Sequence, residues 1–146
     1  MRSVLAASTY EEACALSRAA CGKAISKQLF NILPKIREVD ALVTPRRQQC
    51  LFEMSPELSL AVLAGAPMGH PKTRPAGRAE RIHALATAFG PEAIERHVRR
   101  VPRGAQLDDV LDAFAGAWTA RRHAAGRHLQ LGGDTDERGL RMEVVA

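Results

Sequence analysis

Only two short stretches of this chain carry strand-like patterning, Cys50–Met54 (CLFEM) and Leu140–Val145 (LRMEVV). Two strands alone leave most backbone donors and acceptors along their edges unpaired, and a two-stranded sheet is marginal in water. Helical segments with apolar faces flank both stretches, so a larger sheet is expected. The chain reads as the helix-rich half of an α/β domain whose first strands are absent.

The helical segments are defined by their start and stop residues. STYEEACALSRAACG is expected to be capped at Ser8 or Thr9, with Glu11 or Glu12 closing a capping box and Gly22 as the stop. In SKQLFNILPKIREVDALV, Ser26 caps a run in which Leu29, Ile32, Leu33, Ile36, Val39 and Leu42 keep helical spacing. Pro34 inside that run is expected to kink it or divide it in two. SPELSLAVLAG has Ser55 as cap, Pro56 at the first position and Gly65 as terminator. After the proline-rich loop APMGHPKTRPAG, further helices run through AGRAERIHALATAF and from Pro91. The strongest pattern is LDDVLDAFAGAWTARRHAA, where Leu107, Val110, Leu111, Phe114, Ala117 and Trp118 form one apolar stripe. GRHLQLGGDTDERG reads as a loop.

At 146 residues the chain is expected to be a single domain, residues 1–146. No apolar run reaches the roughly 18 to 20 residues needed to span a bilayer, and the N-terminal residues do not form a secretory signal. Three cysteines, Cys14, Cys21 and Cys50, without CxxC spacing indicate neither a disulfide framework nor a zinc site, which points to the cytoplasm. The net charge of +5 permits a polyanionic partner. Aromatic residues make up only 4%, however, so no stacking platform for single strands is evident.

Five blocks in order, LPKIREVD, FEMSPELSLAVLAG, KTRPAGRAERIHAL, DDVLDAFAGAWTARR and DERGLRMEVVA, resemble the C-terminal part of the bacterial family called domain of unknown function 429. The family is a predicted nuclease family with a ribonuclease H-like fold. The resemblance covers the chain from about Ser26 to its end. Two departures accompany it. No glycine-flanked VDG-like turn is present, and the block expected as EVHPE appears as EMSPE, with Ser55 in place of histidine. The chain thus resembles a shortened member, an incomplete ribonuclease H-like α/β domain with two or three strands.

The resemblance implies metal-dependent phosphodiester hydrolysis with Mg²⁺ or Mn²⁺ held by carboxylates from separate elements. It implies Glu53 and Asp112 as catalytic residues and metal ligands, with Glu57 and Asp109 as further ligands, and Lys72 and Arg78 as nucleic-acid contacts. Without the first-strand aspartate, the chain is not expected to be fully active by itself. The residues also admit plainer readings. Glu57 complements the dipole of its helix, Asp108 and Asp109 cap theirs, Asp112 sits on a solvated face off the stripe, and Glu53 is a half-exposed strand residue. The scattered histidines read as surface residues. The rival reading is a non-catalytic module that pairs an open sheet edge with a second copy or another chain.

Overall fold

A computed structural model describes residues 2–146, which divide into two compact units, the first ending at Arg47 and the second comprising Gln48–Ala146. Among the described residues there are six α-helices and one two-stranded antiparallel sheet. Among the described residues no helix is long and apolar enough to cross a membrane.

In the first unit a short 3-10 helix, Arg2–Ala6, precedes helices α1 (Tyr10–Cys21) and α2 (Lys27–Leu42). Thr9 and Ser26 each accept a hydrogen bond from a backbone N–H in the first turn, and Gly22 ends α1 in the left-handed conformation. Pro34 lies inside one continuous α2, so the expected division does not occur. Pro34 is exposed, which leaves the carbonyl it cannot serve within reach of water. Val4, Ala7, Ala13, Cys14, Ile25 and Leu33 form the core of this unit. Arg37 ties the N-terminal turn to α2 by donating to the carbonyls of Leu5 and Ala7.

The second unit contains α3 (Pro56–Ala64), α4 (Pro75–Phe89), α5 (Pro91–Val98) and α6 (Leu107–Ala124), then strands β1 (Gln130–Thr135) and β2 (Arg141–Val145). Ser55 caps α3 and Pro56 opens it, as expected. The core gathers Leu60 of α3, Ala84 and Leu85 of α4, Ile94 of α5, and Leu111 and Ala115 of α6. Deeper in, the hydroxyls of Ser59 and Thr119 meet at 2.7 Å and satisfy each other inside the α3–α6 contact. The buried line of α6 is therefore Leu111, Ala115 and Thr119, while Ala117 of the expected stripe is exposed.

The expected strand Leu140–Val145 is present as β2, whereas the other strand expectation needs correction. Cys50–Met54 forms no regular strand. Its only sheet-like pairing is a single parallel bridge from Met54 to Val145, reinforced by the Val145 N–H donating to the Glu53 carbonyl at 2.9 Å. Conversely, the stretch read as a loop supplies β1, paired with β2 from Gln130↔Val145 to Thr135↔Arg141. A bulge between Gly132 and Asp134 hides this strand from sequence reasoning. Gly132 has φ +83°, and a Cβ there would stand 2.3 Å from the Met142 carbonyl oxygen. The histidines are not all surface residues either. His123 is half-buried between Phe52 and His128, with ring centroids 3.8 and 4.3 Å apart.

Candidate functional site

Four of the charged residues singled out in the sequence, Glu57, Lys72, Arg78 and Asp112, lie where the loop 66–74 meets the N-terminal parts of α3, α4 and α6. That loop is held by groups on α4. Glu80 accepts from the backbone N–H groups of Gly69 at 2.7 Å and His70 at 3.1 Å. Donation from Gly69, foremost, holds the Glu80 carboxyl below the usual glutamate range, with His70 assisting. Pro71 lies so close over α4 that a Cβ on Gly77 would stand 2.1 Å from its carbonyl oxygen. Gly77 is thus required by close approach rather than by turn geometry.

Arg81 is the centre of this arrangement. Its side chain is only 5% exposed, and it donates from Nε and Nη2 to the two oxygens of Glu57 at 3.0 and 2.6 Å. It also donates to the carbonyls of His70 and Gly77, at 3.0 and 2.8 Å. One buried guanidinium therefore joins the start of α3, the loop and α4. The carboxylate of Glu57 raises its pKa further against the opposing effect of burial.

Beside this pair, Lys72 Nζ stands 3.6 Å from Asp112 Oδ2, and Arg78 Nε stands 3.7 Å from Asp108 Oδ1. The geometry thus brings each expected nucleic-acid contact to a carboxylate of α6. Asp112 is pushed above the ordinary aspartate range, chiefly by loss of hydration and further by the charges of Glu57 and Asp108. Lys72 opposes that shift without overcoming it. A half-buried carboxylate that carries this penalty beside a lysine is the kind of group found at functional sites.

The remaining expected ligands have other placements. Asp109 receives the Gln106 N–H at 2.7 Å, the reciprocal bond of a capping box at the start of α6. Glu53 is exposed, and its backbone rather than its side chain is engaged, through Val145. Among the described residues no three His, Cys, Asp or Glu side chains converge as a metal-binding group. The donor set Glu53, Asp112, Asp109 and Glu57 thus does not fit a resident divalent ion: Arg81 occupies both oxygens of Glu57, and Asp109 serves its own helix.

The sequence places Arg81 only among the basic residues of a solvated loop and helix start, which its burial corrects, and gives no role to Glu80. A signal for Arg81 was present, because it shares the buried face of α4 with Gly77, Ala84 and Leu85 at spacings of four, three and four. A cation in line with apolar residues demands a partner. In comparison with known proteins, a family model described as Protein of unknown function (DUF429) matches residues 1–137. No curated protein and no solved structure matches.

Proposed function

The chain belongs to the family described as Protein of unknown function (DUF429), and on that premise we propose that it acts on phosphodiesters as a ribonuclease H-like nuclease. The observation that carries this reading is Asp112, a carboxylate with a raised pKa held 3.6 Å from Lys72. In this reading Asp112 acts at the reacting phosphate. Its raised pKa suits a group that exchanges a proton near the scissile bond. Lys72 and Arg78 neutralise the phosphate oxygens, and nucleic acid is the partner. Glu53, exposed ahead of α3, is the second carboxylate of the proposal. Mg²⁺ usually keeps several waters and binds through one or two carboxylates plus substrate phosphate. The proposal accordingly takes Mg²⁺ or Mn²⁺ as an ion arriving with substrate, and places the reaction in the cytoplasm.

The test is cleavage of labelled single- and double-stranded DNA and RNA with Mn²⁺ present. Asp112→Asn is expected to lower the rate at least about a hundredfold and Lys72→Ala about tenfold, the scale of a lost proton-transfer group and a lost phosphate contact. Equal cleavage by the parent and Asp112→Asn, or no cleavage of any of the four substrates, would overturn the reading.

A second reading rests on a different observation. Every residue of β1 is exposed, and among the described residues its neighbour across the sheet is β2 alone. Leu131 and Met142 are 49% and 55% exposed. In this reading the strand pairs with β1 of a second copy, because open apolar edges recruit strands. Sedimentation would then give a dimer that Leu131→Lys dissociates, and a monomer at high concentration would rule it out.

A further inference from the structure

We propose a second, separate anion site at the C-terminal end of α6, formed by Arg121, Arg122 and Arg127 beside Trp118 and shaped to take a phosphate group. These four residues and Ala88 line a cavity of about 170 Å³, several times the roughly 30 Å³ that a water occupies in the liquid. Among the described residues none of the three arginines has a carboxylate within ion-pair distance. Two of them have aromatic contacts instead: Arg122 lies 4.7 Å over the Trp118 ring and Arg121 lies 5.8 Å from that of Phe89.

Two features show more than a solvated helix end. The α6 dipole accounts for Arg121 and Arg122 in the last turn, but not for Arg127, which lies beyond the helix. Gly126, with φ +65°, turns the chain back, and the Arg127 N–H then donates to the Arg122 carbonyl at 2.9 Å. That turn places a third positive charge on the same cavity, against the mutual repulsion of the other two. In addition, Arg122 Nε is buried without a hydrogen-bond partner. A buried donor without a partner on a charged group is costly, so this guanidinium is held in place by its packing on Trp118. An anionic oxygen in the cavity offsets that repulsion, and guanidinium groups match phosphate in geometry.

The site is independent of the cluster around Asp112. Arg121 follows Asp112 by nine positions of α6, roughly 14 Å along the helix axis. The phosphate can belong to a nucleic-acid backbone or be free, and the same titration distinguishes the two.

Trp118 is the sole tryptophan of the chain, so its fluorescence reports on the cavity directly. The titration uses the full chain carrying Asp112→Asn, so that no probe is hydrolysed, with short oligothymidylate and with inorganic phosphate. The expected result is a saturable change of Trp118 emission, weakened about tenfold or more by Arg127→Ala and by Arg121→Ala, each lost charged contact being of that order. With oligothymidylate, each substitution should also reduce the salt slope of binding by about 1. Binding of oligothymidylate that phosphate displaces only in large excess assigns the site to a backbone, and comparable binding of phosphate alone assigns it to a free phosphate. Circular dichroism melts of both variants that match the parent exclude loss of fold as the cause. No emission change with either probe, or folded variants that bind as the parent does, would overturn the proposal.

Discussion

Both carboxylate oxygens of Glu57 are held by the guanidinium of Arg81, at 3.0 and 2.6 Å, across 24 positions of sequence. The two partners are unequal: the Arg81 side chain is 5% exposed and that of Glu57 47%. Removing the arginine therefore takes a donor from Glu57 and from the His70 and Gly77 carbonyls at once, whereas removing the glutamate leaves a cation that keeps two other acceptors. Arg81→Ala is expected to cost about 2–4 kcal/mol in urea unfolding, and Glu57→Gln about 1 kcal/mol or less. Arg81→Lys should recover little, because one ammonium cannot replace four directed N–H bonds. Equal losses for Arg81→Ala and Glu57→Gln would show that the pair, and not the buried fork, stabilises this region.

Gly77→Ala places a methyl group where the Pro71 carbonyl oxygen already stands, at 2.1 Å. Backbone on both sides must shift, and Lys72 then moves away from Asp112. The variant should melt lower and be cut faster by protease within the loop 66–74. A variant that melts and digests like the parent would mean that the loop does not rest on α4 in solution.

Asp112 and Glu80 set opposite pH dependences. Asp112 has a folded pKa raised by lost hydration. The folded state thus binds the proton more tightly than the unfolded state, and this residue's contribution to stability falls as pH rises from the ordinary aspartate value through the raised one. Asp112→Asn should therefore be more stable than the parent at neutral pH, with the gain vanishing in acid. No gain at neutral pH would mean that Lys72 outweighs the desolvation.

Glu80 has a folded pKa lowered chiefly by the Gly69 N–H. Its contribution is present above the ordinary glutamate value and is lost as pH falls through the lowered one. Glu80→Gln should accordingly destabilise at neutral pH and match the parent in strong acid. Melting curves across that range check the sign, and a constant difference at every pH would contradict it.

Local chemistry made much of the fold legible. Thr9, Ser26 and Ser55 cap the helices they precede, and Gly22 and Gly65 end theirs in the left-handed conformation, because these effects act within one turn. Leu140–Val145 was legible as β2, but its partner β1 and the stretch Cys50–Met54 were misread because pairing is not local. Leu131 is followed by two glycines that only a bulge explains, while Phe52 and Met54 look like a strand but gain one bridge. The same limit applied to the site. Sequence and family resemblance selected Lys72, Arg78 and Asp112, which do meet charges of opposite sign. The partner of Glu57 was not legible, since Arg81 reaches it only once α4 packs against α3.

The most direct measurement is a carbon-13 NMR titration of the Asp112 carboxyl, in the parent chain and in Lys72→Ala. The expected result is a midpoint above the ordinary aspartate value in the parent, moved higher still when Lys72 is removed, since that ammonium opposes the upward shift. A midpoint at or below the ordinary value, or one indifferent to Lys72, would contradict the assignment of Asp112 as the poised carboxylate of the site.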